Sequence, residues 1–120
     1  MKCYFQTGIK GIFFPLMATI ELKGFKLLAS GMLPLEKGSL VYGSNDAGIT
    51  IHYESPQLNS LLQQAAKEMN IKPHLCGPSK SKSKLMYSCV DLEGHLGSDN
   101  RFYLLVKKKI FFTHFFLHFF

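Results

Sequence analysis

One stretch of this 120-residue chain carries a helical period, and it dictates what the rest must supply. In SPQLNSLLQQAAKEMN, Leu58, Leu61, Leu62, Ala65, Ala66 and Met69 recur three and four positions apart and share one helical face. Ser55 has the side chain of an N-cap, Pro56 suits the first helical position, and Asn70 can close the far end. A stripe of this kind is read as core, not as a binding groove, so it needs a second layer to cover it. Elsewhere the apolar runs are short and punctuated by Gly and Pro, the pattern of hairpins. The expectation is an α+β fold: an antiparallel, hairpin-rich sheet with one main helix packed on it.

The run from Ile12 to Ile20 and the run from Phe25 to Met32 flank Lys23-Gly24 and read as an antiparallel hairpin. Pro15 favours an edge position, and Pro34 stops the second strand. Leu40-Val41-Tyr42 and Ile49-Thr50-Ile51 read as a second pair. The loop between them, Gly43 to Gly48, is built of residues that tolerate positive φ, with Asp46 expected to bond nearby amides. Pro73 to Lys84, with its PSKSKSK tract, reads as a mobile basic loop, solvated in preference to phosphate-binding. Leu85 to Tyr87 and Phe102 to Val106 read as short strands.

Length fits one domain, and 47% hydrophobic against 18% charged residues excludes a disordered chain. The net charge of +6 favours anionic partners without specifying one. Cys3, Cys76 and Cys89 are odd in number and lack C-x-x-C spacing, which argues for reduced thiols in a cytoplasmic protein over a disulfide framework or a zinc knuckle. The N-terminal apolar run is short and broken by Pro15, so no signal peptide is expected, and no stretch reaches the length of an integral membrane segment.

The densest group of chemically able residues is Asp91, Glu93, His95, Asp99 and Arg101. Its spacing fits neither an EF-hand nor H-E-x-x-H. The preferred reading is a structured polar turn around two glycines, with these five side chains close together and Arg101 clamping a carboxylate; a ligand or partner site is the alternative. His52 is read as a satisfied residue of a strand. Gly43 to Gly48 is no Walker loop, because Ile49 stands where Lys belongs. No G-x-S-x-G occurs. His114 and His118 have the i, i+4 spacing of a zinc pair but no third ligand in reach. No catalytic residue, metal or cofactor is therefore assigned.

VYGSNDAGITIH, followed some forty residues later by VDLEGHLGSDNRFYLL, resembles the Clu domain, the central domain of the clustered mitochondria proteins. The opening hairpin, the helix and Ile71-Lys72-Pro73-His74 fit the same pattern, and residues 1–105 are read as a partial Clu domain. The family signature falls on Tyr42, Gly43, Ser44, Asp46, Gly48 and His52, and again on Asp91, Glu93, Gly94, His95, Gly97, Asp99, Arg101 and Tyr103, in a structural or partner-binding role. The resemblance implies a cytoplasmic, non-enzymatic protein that keeps mitochondria evenly distributed. It implies association with mRNAs for mitochondrial proteins and with the ribosome or translation initiation factor three, and only indirect contact with the mitochondrial surface. Family members carry a further N-terminal domain and tetratricopeptide repeats.

Residues 106–120 depart from that pattern: the family continues with Asp-Phe-Ala-Arg, whereas here Val106 is followed by Lys107-Lys108-Lys109 and a Phe-rich run. This divergent tail is read as a truncated or mis-spliced reading frame, and Ile110 to Phe120 is expected to stay out of the core. Two alternatives remain. One is an inactive kinase-like nucleotide-binding domain, from the likeness of Asp99 to Leu105 to the hairpin before a metal-binding Asp. The other is a peripheral membrane protein held by Lys107 to Phe120.

Overall fold

The hydroxyl of Ser55 accepts a hydrogen bond from the Leu58 amide at 3.3 Å, and the helix begins at the next residue. In the computed structural model, which describes residues 1–106 and 116–119, this main helix runs Pro56–Glu68. It ends as Asn70 turns to φ 55° and the Ile71 amide reaches back to the Ala66 carbonyl at 2.9 Å. A short helix, α1 (Lys2–Gln6), precedes it, so the main helix is α2.

The described strands are β1 (Ile12–Phe13), β2 (Met17–Leu22), β3 (Phe25–Gly31), β4 (Leu40–Gly43), β5 (His52–Tyr53), β6 (His74–Cys76), β7 (Lys84–Met86), β8 (Leu92–Leu96), β9 (Phe102–Val106) and β10 (Phe116–Phe119). Five of them form the main sheet in the order β1-β9-β8-β4-β5. All its pairings are antiparallel except β1 with β9, which is parallel and sets Ile12 opposite Phe102. The core lies between this sheet and α2: Tyr42, Leu58, Leu62, Ala65 and Leu104 are fully buried, with Leu92, Met86, Tyr4 and Ile12 around them. Gly94, central in β8, lies under the helix, since a Cβ there would come within 2.6 Å of Leu58 Cδ2. The α+β architecture with one main helix on a hairpin-rich sheet is thus observed.

Several boundaries differ from the sequence reading. Ile12 to Ile20 is not one strand: Ile12–Phe13 joins the main sheet, the buried Pro15 offers no amide to a ladder, and β2 starts at Met17 in a separate sheet. The β2–β3 hairpin itself is present, with Lys23 and Gly24 both at positive φ (48° and 80°). The partner of β4 is His52–Tyr53, not Ile49 to Ile51, because Asp46 takes the Thr50 amide and keeps that stretch in the loop. The basic segment from Pro73 to Lys84 is partly ordered as the β6–β7 hairpin, with a 3-10 turn at Lys80–Lys82. In the tail, Phe116–Phe119 forms β10, parallel to β3 with Phe116 opposite Leu28. Its backbone therefore joins the small β2–β3 sheet, on the β3 edge left open by β2, and not the main sheet that carries the core. The rest of the tail, with His114 and Lys107 to Lys109, lies outside the described residues, and His118 sits on a strand, not a helix.

Candidate functional site

Loop 44–51 is organised by two short polar side chains. Ser44 donates its hydroxyl to Asp46 Oδ1 at 2.7 Å and accepts the Gly48 amide at 2.9 Å, while Asp46 Oδ1 accepts the Thr50 amide at 2.9 Å. Bonds from the Thr50 amide and hydroxyl, and then from Ser44, push the Asp46 carboxyl down to about 2. Gly43 and Gly48 stand at φ +93° and +86°, as the loop requires. At Gly43 there is a second reason for glycine: a Cβ would collide with the Leu92 carbonyl oxygen of β8.

The facing wall is the segment entering β8, held by two tyrosines from distant parts of the chain. The buried Tyr42 hydroxyl accepts the Tyr87 amide at 2.9 Å, and the Tyr4 hydroxyl accepts the Cys89 amide at 3.3 Å. Burial raises the pKa of both phenols. Between this wall, loop 44–51 and the end of β6 lies an open cleft of about 750 Å³. Ile49 and Val90, both largely exposed, stand at its rim, and Asp91 and the buried Glu93 border it.

The acidic group expected to form one turn is divided by a strand. Leu92 to Leu96 is β8, flanked by β4 and β9, because Gly94 is used for helix contact and not for a bend. Glu93 and His95, two residues apart on one face, pair at 3.4 Å through Oε2 and Nε2, and His95 Nδ1 meets Ser39 Oγ at 3.0 Å. This Ser39–His95–Glu93 series ties the start of β4 to β8; Ser39 does not border the cleft. Asp99 and Arg101 belong to the turn between β8 and β9. Asp99 accepts the Tyr103 hydroxyl at 2.7 Å, which lowers its own pKa and raises that of the phenol. Arg101 Nε lies 3.9 Å from the same carboxylate, so the expected clamp is present, though long. Gly97 leaves room for that turn, since a Cβ would press on Asp99 Oδ1 and Tyr103. Asp91 stays exposed at the cleft, apart from Asp99 and Arg101. His52 lies on the edge strand β5 and pairs with Glu54 at 3.0 Å. Among the described residues, no group of three or more His, Cys, Asp or Glu is placed to hold a metal ion.

Sequence reasoning missed Tyr4, Ser39 and the 87–89 segment. No local pattern marks them, because their partners are 85, 56 and 45 residues away. Together the two motifs build the cleft walls from opposite sides: loop 44–51 from one, the entry to β8 from the other.

The family model for Clustered mitochondria matches residues 1–111. Protein clueless of Drosophila virilis is 31% identical over 110 residues, which is 88% of this chain and 7% of that protein. Protein clueless of Drosophila persimilis is 30% identical over 110 residues, 88% of this chain and 8% of its own length. A clustered mitochondria protein homolog of Brugia malayi is 31% identical over 112 residues, with 88% and 8% covered. The chain thus spans less than a tenth of the length of these curated relatives. No solved structure matches it.

Proposed function

The chain belongs to the clustered mitochondria family, and from that premise we propose that it is a non-enzymatic Clu-domain unit of a cytoplasmic protein that distributes mitochondria and associates with their mRNAs. The observation that carries the non-enzymatic part is how the motif side chains are engaged. Ser44 and Asp46 hold loop amides, Tyr42 holds the Tyr87 amide, and Asp99 holds Tyr103. Side chains used in this way rigidify a surface, which supports binding over turnover. Among the described residues no helix is long and apolar enough to cross a membrane, which fits indirect contact with the organelle. The net charge of +6, and the exposed Lys80, Lys82 and Lys84 around the 3-10 turn, support attraction to RNA.

Three measurements test the proposal. RNA affinity of the full chain should fall with salt, with a log–log slope of about −0.7 for each single-strand phosphate contact; a flat salt response would refute RNA association. ATP with magnesium should leave the melting temperature unchanged, and a rise that saturates with nucleotide would favour the kinase-like alternative. In cells, a full-length family protein carrying Gly43→Val should fail to keep mitochondria dispersed, whereas normal dispersal would separate this domain from the role.

A further inference from the structure

The parallel pairing of β1 with β9 has a chemical consequence at one end of the sheet. Strands that run the same way begin at the same end, so Lys10, two residues before β1, and Arg101, one residue before β9, both border one shallow depression of about 640 Å³. Phe13, Phe102, Gln57 and Asn100 also line it. The Arg101 guanidinium lies over the Phe13 ring at 5.1 Å, with the Arg101 side chain 58% and Phe13 39% exposed. The lining includes two cations and no carboxylate; the nearby Asp99 carboxylate lies on the Nε side of Arg101. Gly11, at φ +97°, lets the chain before β1 run close to α2, where a Cβ would lie 3.3 Å from Leu61 Cδ1.

We propose that this depression holds an unpaired nucleotide of a single-stranded RNA, with its base on the Arg101–Phe13 platform and a phosphate at Lys10. The inference rests on the RNA-association reading above and names the place of contact. A planar guanidinium backed by an aromatic ring is a stacking surface that every base can use. A cation beside it meets the backbone charge that accompanies each base. An unpaired strand offers a π-face at every base, whereas a duplex offers one only at its ends, so a duplex is the poorer ligand. The amides of Gln57 and Asn100 add polar groups at the border without a fixed donor pattern. Recognition is therefore tolerant of sequence.

The test uses the full chain, a short fluorescein-labelled oligouridine, its duplex with oligoadenine, and inorganic polyphosphate as competitor. The oligouridine should bind more tightly than the duplex. Phe13→Leu, which keeps apolar bulk, and Arg101→Lys, which keeps charge, should each weaken oligouridine binding about tenfold and leave the salt slope unchanged. Lys10→Gln, at an exposed site before β1, should make the slope shallower by about 0.7. A parent chain that binds oligouridine while all three variants bind equally well would overturn this site and leave the RNA reading intact. A parent chain that binds no RNA would overturn both. Equal competition by polyphosphate at matched charge, with Arg101→Lys unaffected, would show a purely ionic surface and overturn the stacking platform. Should Arg101→Lys or Phe13→Leu lower the melting temperature, the salt slope of Lys10→Gln decides.

Discussion

Replacing Gly43 and Gly48 by alanine separates two reasons for a glycine that the sequence presents as alike. Both residues stand at positive φ, +93° and +86°. An alanine forced into that region destabilises by about 1 kcal/mol or more. At Gly48 that is the whole effect, because an added Cβ meets nothing within 4 Å. At Gly43 the added Cβ also enters the Leu92 carbonyl oxygen and comes within 3.4 Å of Glu93 Cα. These are backbone atoms of β8, a central strand that cannot yield without disturbing its pairing to β4 and β9. Overpacking of this kind adds about 1–3 kcal/mol, so Gly43→Ala should lose about 2–4 kcal/mol in total. An unfolding entropy of about 2.1 cal/mol/K per residue means that each kcal/mol lowers the melting temperature of this chain by about 4 °C. Gly48→Ala should thus melt about 4 °C lower and Gly43→Ala about 8–16 °C lower, read by circular dichroism and checked by urea unfolding. Equal, small shifts for the two variants would show that β4 and β8 are not in the close approach described, and the geometry of the cleft would fall with it.

Tyr42→Phe should destabilise by about 1 kcal/mol, because the part-buried Tyr87 amide loses its acceptor; an unchanged urea midpoint would contradict this. Gly94→Val should unseat α2 from the sheet, since even a Cβ would lie 2.6 Å from Leu58 Cδ2 and 3.0 Å from Tyr42 Cβ; the variant should melt at least about 4 °C lower. The Asp46 carboxyl, held near 2 by the Thr50 and Ser44 bonds, should titrate by NMR with a midpoint well below that of an ordinary aspartate. Its folded-state pKa is depressed, so its contribution is complete above the ordinary aspartate pKa and is lost as pH falls toward 2. A midpoint at the usual carboxylate value would remove the loop bonds from the account. Ser55→Ala should lower stability by about 1 kcal/mol through loss of the cap on Leu58, and urea unfolding would show it.

What the sequence made legible was local. Ser55, Pro56 and the Leu58 to Met69 stripe announce α2, since a cap and a 3.6-residue period need no distant partner. Lys23-Gly24 announces its hairpin, and Gly43 to Gly48 its loop, because positive φ restricts residue choice at single positions. β8 was misread because Glu93, Gly94 and His95 have the composition of a turn. That composition arises from tertiary contacts: Gly94 receives Leu58, and Glu93 and His95 pair with each other on the opposite face. α1 and the edge strand β1 are too short to show a period, and their roles depend on Cys89 and Phe102. The Asp99–Arg101 pairing was legible from proximity in sequence, whereas the cleft walls were not, since they meet through long-range contacts: the Tyr4 and Tyr42 hydroxyls and the pairing of β4 with β8.

The place of β9 between β1 and β8 also sets a condition on synthesis. β9 is the last of the five strands to be made, yet it pairs with both the first and the fourth. Until Val106 has left the ribosome, Ile12 and Leu92 have no neighbour across that gap, and the apolar face of α2 has only part of its floor. The nascent chain therefore carries a finished, sticky helix for some forty residues of elongation before the sheet can close beneath it. Closure then joins segments ninety residues apart, the kind of long-range pairing that slows folding. This domain is most exposed to aggregation on the ribosome, and translation rate across the codons from Met69 to Val106 bears directly on its yield.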